Sequence, residues 1–384
     1  MLLLVPVLLP MAGGIFVFRE KTEKKRDALM LWLSAATAAC ALLICCLPVQ
    51  TLRLMTIEGD LQLGLRSDAL AKFFLVLISC VWAGVSVFSV PYVRHVGSPR
   101  QFQGFYTVTL GVLMGLALAR NFVTLYMFFE LMSLVTMPLV LHNGTPDARR
   151  AGFKYLGYSV FGAGMALAGF FFLWHFLTVH EFTPGGALDP VLAAQHRPML
   201  LIVWLVMVVG FGAKAGMMPM QAWLPYAHPV APAPASAVLS GVITKGGILA
   251  MLRVTYYLFG PEFLRGSWVQ EVLLTLSLAT IFVGSMLALR EQQLKRRLAY
   301  STISQVSYVA FGLLLLSPAG LLAALLQAVF HAFAKDTLFL AAGAVITSTN
   351  CTRVEQLRGI GKRMPVTMWC FALASLSLIG IPPL

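Results

Sequence analysis

The sequence predicts an all-α polytopic membrane protein, and three observations carry that prediction: the composition, the length of the apolar runs and the positions of the charges. Of the 384 residues, 59% are hydrophobic and only 11% are charged, with a mean hydropathy of +0.83. A globular domain of this size cannot hide so much apolar surface in one core, so the solvent is lipid. The runs are long and continuous, which is typical of membrane helices and not of the short alternating strands of a barrel.

The chain divides into twelve apolar runs, which we interpret as eleven complete spans and a twelfth cut off by the end of the sequence. A short polar break at Arg120 and Asn121 separates the fourth run from the fifth. The first run lacks a basic leader and a small-residue cleavage site, so it is expected to be a helix and not a removed signal peptide. The runs are 1–18, 28–48, 69–90, 104–120, 121–141, 153–179, 199–218, 232–258, 268–289, 298–316, 319–347 and 365–384.

The basic residues are distributed unevenly between the loops. The formal charge is +13, and 18 of the 28 lysines and arginines fall in alternate loops on one side, 7 on the other and 3 within spans. Loops rich in lysine and arginine stay on the cytoplasmic side, which predicts an N-terminus outside the cell. The same pattern explains the positive charge without a nucleic-acid partner. The six cysteines show neither metal-ligand nor redox spacing, so we expect no metal site and no disulfide.

Three ionisable residues interrupt apolar runs near mid-membrane: Glu130, Lys214 and Lys245. Each charge at a helix centre costs about 2.5–3.5 kcal/mol on insertion scales. Such residues are functional candidates by default, and their opposite signs suggest compensation across helices. A buried ion pair that only fixes helix packing is the simpler alternative, but desolvation makes such pairs poor stabilisers.

A second polar stripe lies in the eleventh run. His331 and Lys335 are four residues apart, so a helix brings them to one face, and histidine titrates near neutrality. Asp336 points about 100° away from its neighbour, and we expect no pairing between the two. Hydroxyls near Lys245 have two possible roles, holding water or bonding the preceding turn. They belong to Ser236, Ser240 and Thr244.

Two spans carry helix-breaking residues. The seventh contains Gly212, Gly216 and Pro219 around Lys214, and the twelfth ends with Pro382 and Pro383. Irregular backbone at membrane depth is tolerated only where it is buried in protein or lines a wet cavity. Paired broken spans are typical of inverted repeats with a site near the midplane. We therefore predict an N-terminal three-helix segment at 1–100, a first repeat (helices 4–8) at 101–260 and an incomplete second repeat (helices 9–12) at 261–384.

These residues carry a resemblance to a known family. The chain resembles the antiporter-like membrane subunits of respiratory complex I (NADH:quinone oxidoreductase), of Mrp cation/proton antiporters and of membrane-bound hydrogenases. The resemblance runs from about residue 65 to the C-terminus and is most specific over 205–255. It is carried by FFE ending at Glu130, GAKAGMMPMQAWLP around Lys214, the proline-rich HPVAPAPASA, SGVITKGGI around Lys245, and HAFAKDTLFLAAG from His331.

The chain departs from the family pattern at three points. Tyr226 follows WLP where the family usually has an acidic residue, and Asp336 stands where a small residue is general. The third departure is that the sequence stops at GIPPL. In the family the twelfth helix continues past this point to a lysine or glutamate, and two further helices follow. The resemblance therefore implies about 12 transmembrane helices of a probable 14, with broken helices 7 and 12.

The resemblance implies a proton-translocating subunit of a multisubunit respiratory complex in the bacterial inner membrane. Its expected proton row is Glu130, Lys214, Lys245, His331 and Lys335. The chain has no cysteine cluster, dinucleotide-binding glycines or P-loop, so iron–sulfur, flavin or nickel–iron centres and quinone are expected only in partner subunits. Expected partners are homologous antiporter-like subunits, other membrane subunits and lipid. Two alternatives stay open: an Mrp-type sodium/proton antiporter subunit, and a membrane anchor that does not pump.

Overall fold

The computed structural model describes residues 1–58 and 61–381, without the side chains of residues 57, 58 and 61. Within these residues, ten helical segments are long and apolar enough to cross a membrane. With the shorter helices included, the described residues form seventeen α-helices. The helices are α1 (Val5–Arg19), α2 (Glu23–Cys46), α3 (Ala69–Val96), α4 (Pro99–Leu118), α5 (Phe122–Leu141), α6 (Pro146–Leu173), α7 (Pro190–Gln195), α8 (Arg197–Ala215), α9 (Leu224–Val230), α10 (Ala233–Val238), α11 (Thr244–Arg253), α12 (Pro261–Leu264), α13 (Trp268–Arg290), α14 (Leu294–Leu314), α15 (Pro318–Thr349), α16 (Ile360–Arg363) and α17 (Pro365–Ile379).

All twelve predicted runs coincide with helices. The ten long apolar helices account for ten of them, and α14 and α17 coincide with the tenth and twelfth. Helix α14 has 21 residues but opens with Lys295, Arg296 and Arg297, which lowers its hydropathy. Helix α17 is apolar but only 15 residues long. The predicted multi-pass helical architecture is therefore confirmed at the level of its helices, within the described residues.

The expectation of a purely helical chain is wrong for the loop after α2. This loop forms an antiparallel hairpin of β1 (Thr51–Glu58) and β2 (Leu61–Arg66), with Thr51 opposite Arg66. The hairpin is anchored at the polar break between α4 and α5: the Arg120 N–H donates to the Gly64 carbonyl at 3.0 Å, and the Gly64 N–H donates to Thr124 Oγ1 at 3.0 Å. The two short strands lack the length of an apolar run, so the hydropathy pattern did not indicate them.

The loops are divided between two ends of the bundle, which we call the basic end and the hairpin end. At the basic end, loops that the charge count grouped together contact one another: Asn143 Nδ2 donates to the Val230 carbonyl at 2.7 Å, and Lys295 Nζ donates to the Ala231 carbonyl at 2.8 Å. At the hairpin end, the Phe182 N–H donates to the Arg120 carbonyl at 3.0 Å. These contacts agree with the predicted alternation of the loops.

A buried ion pair fixes the hairpin end. Arg253 is 1% exposed and its two guanidinium nitrogens donate to both oxygens of Asp68 at 2.6 and 2.9 Å. Removing one partner of such a pair leaves an uncompensated charge, so Arg253→Met is expected to lower the free energy of unfolding by about 3–5 kcal/mol. Denaturant titration in detergent micelles, followed by circular dichroism, measures this loss. The matched control is Arg150→Met, because the Arg150 side chain is 82% exposed. Its free energy of unfolding should stay within about 0.5 kcal/mol of the wild type. Equal losses in the two variants would contradict a stabilising role of the Arg253–Asp68 pair.

Candidate functional site

The predicted break in the seventh span is present, and it places Lys214 in the last turn of a helix. Helix α8 ends at Ala215, and Gly216 follows in the left-handed conformation with φ 84°. The Gly216 N–H donates to the Ala213 carbonyl and the Met217 N–H to the Gly212 carbonyl at 2.8 Å, which is the Schellman pattern. Pro219 lies in the non-helical segment before a 3₁₀ turn and α9. The chain is thus irregular just past the lysine.

The twelfth span ends in the same way. Gly380 follows α17 with φ 79°, its N–H donates to the Ser377 carbonyl at 3.0 Å, and the Ile381 N–H donates to the Leu376 carbonyl at 3.2 Å. The two spans predicted to be broken therefore carry the same glycine cap. Pro382 and Pro383, the residues that predicted the second break, lie outside the described residues.

Three hydroxyl groups surround the Lys214 ammonium. Nζ donates to Ser133 Oγ at 2.9 Å, to Ser159 Oγ at 3.2 Å and to the Tyr155 hydroxyl, and it lies 4.2 Å from the centre of the Tyr155 ring. The side chain is 1% exposed. Neutral oxygens can hold either an ammonium or a neutral amine, because a hydroxyl donates as readily as it accepts. The shell therefore does not fix the charge of the lysine.

Glu130 does not form a direct ion pair with Lys214, so the predicted compensation across helices can act only at a distance. No ion pair among the described residues includes Glu130, which is half-buried and receives a 3.5 Å contact from the Tyr126 hydroxyl. The physical reason is the placement of Ser133, which lies one turn beyond Glu130 on the same helix and occupies a contact position on the ammonium. The carboxylate stands next to the hydroxyl shell and not inside it.

The eighth span is irregular around Lys245. Residues Ala233–Phe259 form one helical span that is buried except at Tyr256 and Tyr257. In it, α10 and α11 are joined by a π turn at Leu239–Ile243 and followed by another at Val254–Phe259. π turns inside α-helices are frequent at functional sites. This one directs the Ser240 carbonyl to the Lys245 ammonium, with an Nζ–O distance of 2.7 Å.

Lys245 contacts His331 across the bundle. Nζ lies in hydrogen-bond contact with His331 Nδ1, and both side chains are 1% exposed. The pair holds its hydrogen bond with a single proton in either place, as ammonium and imidazole or as amine and imidazolium. His331 Nε2 has no protein partner among the described residues. His331 also lines a cavity of about 500 Å³ between α14, α15 and α17, whose polar lining includes Gln305, Gln327 and Ser377.

Lys335 lies one turn beyond His331 and is fully buried. Its Nζ donates to the Leu298 carbonyl at 3.1 Å and to the Ser301 hydroxyl, both on α14. The next residue of α14, Thr302, lies 2.8 Å from Ser240 through their hydroxyl oxygens. Helix α14 therefore connects the surroundings of Lys335 to the carbonyl-bearing turn that holds Lys245.

Sequence reasoning missed the hydroxyl shell of Lys214. One signal was present: Tyr155 and Ser159 are four residues apart and Ser133 is three from Glu130, so each pair shares a helix face. Of the hydroxyls weighed near Lys245, Thr244 bonds the Ser240 carbonyl of the preceding turn at 2.8 Å, and Ser236 bonds the His228 carbonyl at 3.0 Å.

The fold and this buried set of ionisable side chains define a polytopic membrane protein of the antiporter-like class. The chain belongs to the family described as NADH:quinone oxidoreductase/Mrp antiporter, transmembrane, which it matches over residues 119–384. Within the part of the chain that the structure describes, no group of three or more histidine, cysteine, aspartate or glutamate side chains could hold a metal.

Known proteins resemble it in sequence and in fold. It is 33% identical to "NADH-quinone oxidoreductase subunit N" of Desulforudis audaxviator over 82% of this chain and 63% of that protein. It is 33% identical to "Hydrogenase-4 component B" of Escherichia coli over 84% of this chain and 49% of that protein. The chain thus spans less than two thirds of each relative. A chain of the Mrp complex from Dietzia sp. shares the fold, with a TM-score of 0.87 at 21% identity over 99% of this chain and 71% of that one.

Proposed function

We propose that this chain is a proton-translocating, antiporter-like subunit of a multisubunit respiratory complex of the NADH:quinone oxidoreductase or membrane-bound hydrogenase type. Protons move along Glu130, Lys214, Lys245, His331 and Lys335. The observation that carries the proposal is the contact between Lys245 and His331, two buried bases joined by one hydrogen bond. Such a pair favours a single shared proton, because two adjacent cations in a low-dielectric interior repel strongly.

The lysines work as switches because each is buried among neutral partners. Burial favours the neutral amine, and a nearby negative charge favours the ammonium. A proton that reaches Glu130 neutralises its carboxylate. The electrostatic stabilisation of the Lys214 ammonium is then lost, and Lys214 releases a proton toward Lys245. The two lysine-bearing helices pack closely: a Cβ at Gly247 on α11 would lie 2.7 Å from the backbone nitrogen of Ala215 on α8. Close packing supports electrostatic coupling between the lysines.

The energy for translocation comes from partner subunits. Iron–sulfur, flavin or nickel–iron centres and quinone belong to those partners, and this chain contributes the proton row without a redox centre of its own. Homologous antiporter-like subunits and other membrane subunits flank it in the bacterial inner membrane, with its N-terminus outside. The charge pattern of the loops supports this orientation.

An Mrp-type sodium/proton antiporter subunit is the second candidate, because the Mrp fold covers nearly the whole chain. The two are separated with the complete complex in proteoliposomes, by measuring proton uptake with a pH-sensitive dye. We expect uptake to require the electron donor and to be unchanged when potassium replaces sodium. Uptake that needs a sodium gradient and no electron donor would support the second candidate. Electron transfer without proton movement would support a membrane anchor and contradict both.

A further inference from the structure

Asp336 is a buried carboxyl group that the proton row does not use. It lies on α15 next to Lys335 and is 6% exposed, and neither of its oxygens has a hydrogen-bond partner among the described residues. An unpaired carboxylate in an apolar interior is costly, so such a group either carries a proton or is bridged by water. Both states belong to a group that exchanges protons.

The Asp336 carboxyl packs against the π turn of the eighth span. The carboxyl lies against Gly241, where a Cβ would clash with Oδ1 and Cγ. Only glycine at this point of the π turn lets the carboxyl approach so closely. The group lies within electrostatic range of Lys245 and of the Tyr106 hydroxyl. The carboxyl group therefore interacts electrostatically with Lys245 in the proposed proton row and with Tyr106 on α4.

Helix α3 presents polar groups at the level of Asp336. Helices α3 and α15 both run from the hairpin end to the basic end, and a Cβ at Gly343 would meet the Tyr92 ring at 3.3 Å. Asp336 lies seven residues before Gly343, and Val85 lies seven residues before Tyr92. Because the rise per residue is the same in both helices, Asp336 is level with Val85, between Trp82 and Ser86. Trp82 Nε1 is a buried donor without a partner among the described residues. An unpaired donor and an unpaired acceptor at one level favour bridging water.

Three hydroxyl groups on α2, α3 and α4 contact one another near this level. The Tyr106 hydroxyl lies 3.4 Å from Ser86 Oγ, which lies 3.1 Å from Ser34 Oγ on α2. Two turns along α2 from Ser34, Asp27 accepts a 2.7 Å hydrogen bond from Gln103 Nε2. Ser34, Ser86, Tyr106 and Gln103 are all buried. We call Ser34, Ser86 and Tyr106 the hydroxyl row.

We propose that Asp336 is a proton carrier that joins the hydroxyl row to the Lys245–His331 pair, giving the buried sites a proton uptake route from the basic end through α2, α3 and α4. This route rests on the proposed function. A proton that enters at the basic end is relayed through water held by the hydroxyl row to the Asp336 carboxylate, which becomes a carboxylic acid, and the relaying water ends neutral. The acid passes the proton through water to the neutral amine of Lys245, which leaves a carboxylate and an ammonium. No charge is created or lost in either step.

The test uses the complete complex in proteoliposomes, with donor-driven proton uptake and infrared difference spectra as the two readouts. Asp336→Asn is expected to slow uptake about tenfold or more, because it removes the proton-carrying group, and to remove one protonated-carboxyl band. Asp336→Glu should restore most of the uptake and keep a shifted band. The exposed control Asp147→Asn should change neither. If Asp336 has a purely structural role, it gives no band in the difference spectrum, and Asp336→Asn keeps every protonated-carboxyl band of the wild type.

A second variant tests the hydroxyl row without touching Asp336. The double substitution Ser34→Ala and Ser86→Ala is expected to slow uptake severalfold while the carboxyl band remains. Wild-type uptake in both Asp336→Asn and the double variant overturns this route. If Lys214→Ala abolishes uptake in the same experiment, the proposed function survives that result. If Lys214→Ala also pumps normally, the proposed function itself fails.

Discussion

Replacing Lys214 with alanine is expected to abolish proton translocation, lowering the uptake rate about 100-fold or more. The size follows from the loss of a positioned proton-transfer group. The three hydroxyls that surround Nζ remain in the variant, but none of them binds and releases a proton near neutral pH. Proton uptake into proteoliposomes that contain the complete complex, normalised to the amount of assembled complex, measures the effect.

The matched control for Lys214 is Lys154. Lys154 is exposed and lies over the Tyr226 ring, 3.5 Å from its centre, so its role is at the surface. Lys154→Ala is expected to leave the uptake rate within about twofold of the wild type, since an exposed cation–π contact is worth about 0.5–1 kcal/mol. Equal rates for the wild type and Lys214→Ala would contradict the proposed role of Lys214.

Replacing Lys245 with alanine is the second large effect, and its partner reveals the mechanism. Lys245→Ala is expected to lower the uptake rate about 100-fold, and His331→Gln about tenfold, because glutamine keeps a hydrogen-bond acceptor but carries no proton. Because the proposed function gives the two side chains one shared proton, the effects should not add. The double variant is expected to be no slower than Lys245→Ala.

The coupling energy of this pair is read from a double-mutant cycle on uptake rates. A distant pair serves as the control: His331→Gln combined with Lys154→Ala should give additive effects. Full additivity of Lys245→Ala and His331→Gln would mean that the two residues act independently. It would contradict the shared proton that the proposed function infers from their contact.

The spans and the first helix break could be predicted from sequence because both are local signals. Hydropathy over about 20 residues identifies a membrane helix, and Gly216, followed three residues later by Pro219, marks the end of α8 without reference to the rest of the chain. The β-hairpin escaped prediction because its two strands are too short for a hydropathy signal. Its position depends on backbone contacts with Gly64 at the break between α4 and α5.

The surroundings of the lysines could not be predicted in the same way. Lys245 and His331 are 86 residues apart, and Lys214 is 81 residues from Ser133 and 59 from Tyr155. Which helices meet is decided by packing, for example where Gly247 admits the backbone of α8. The sequence indicated the charged residues because they are costly in lipid. It did not indicate that hydroxyls, and not Glu130, contact the Lys214 ammonium.

The predicted pair of five-helix repeats stays a prediction. The identical glycine caps of α8 and α17 agree with broken helices at corresponding positions, five spans apart. The division at residues 100 and 260 follows from the same periodicity and depends on it. Among the described residues, these two caps are the clearest structural sign of a repeat.

The most direct test of the proton row is donor-driven proton uptake by the complete complex carrying Lys214→Arg, compared with the wild type in the same proteoliposomes. Arginine keeps the positive charge but does not lose its proton in proteins. If Lys214 carries protons, the variant assembles and shows no uptake above the background of Lys214→Ala. If Lys214 only supplies a fixed charge, Lys214→Arg pumps at the wild-type rate, and that result would contradict the role of the buried lysines as proton carriers.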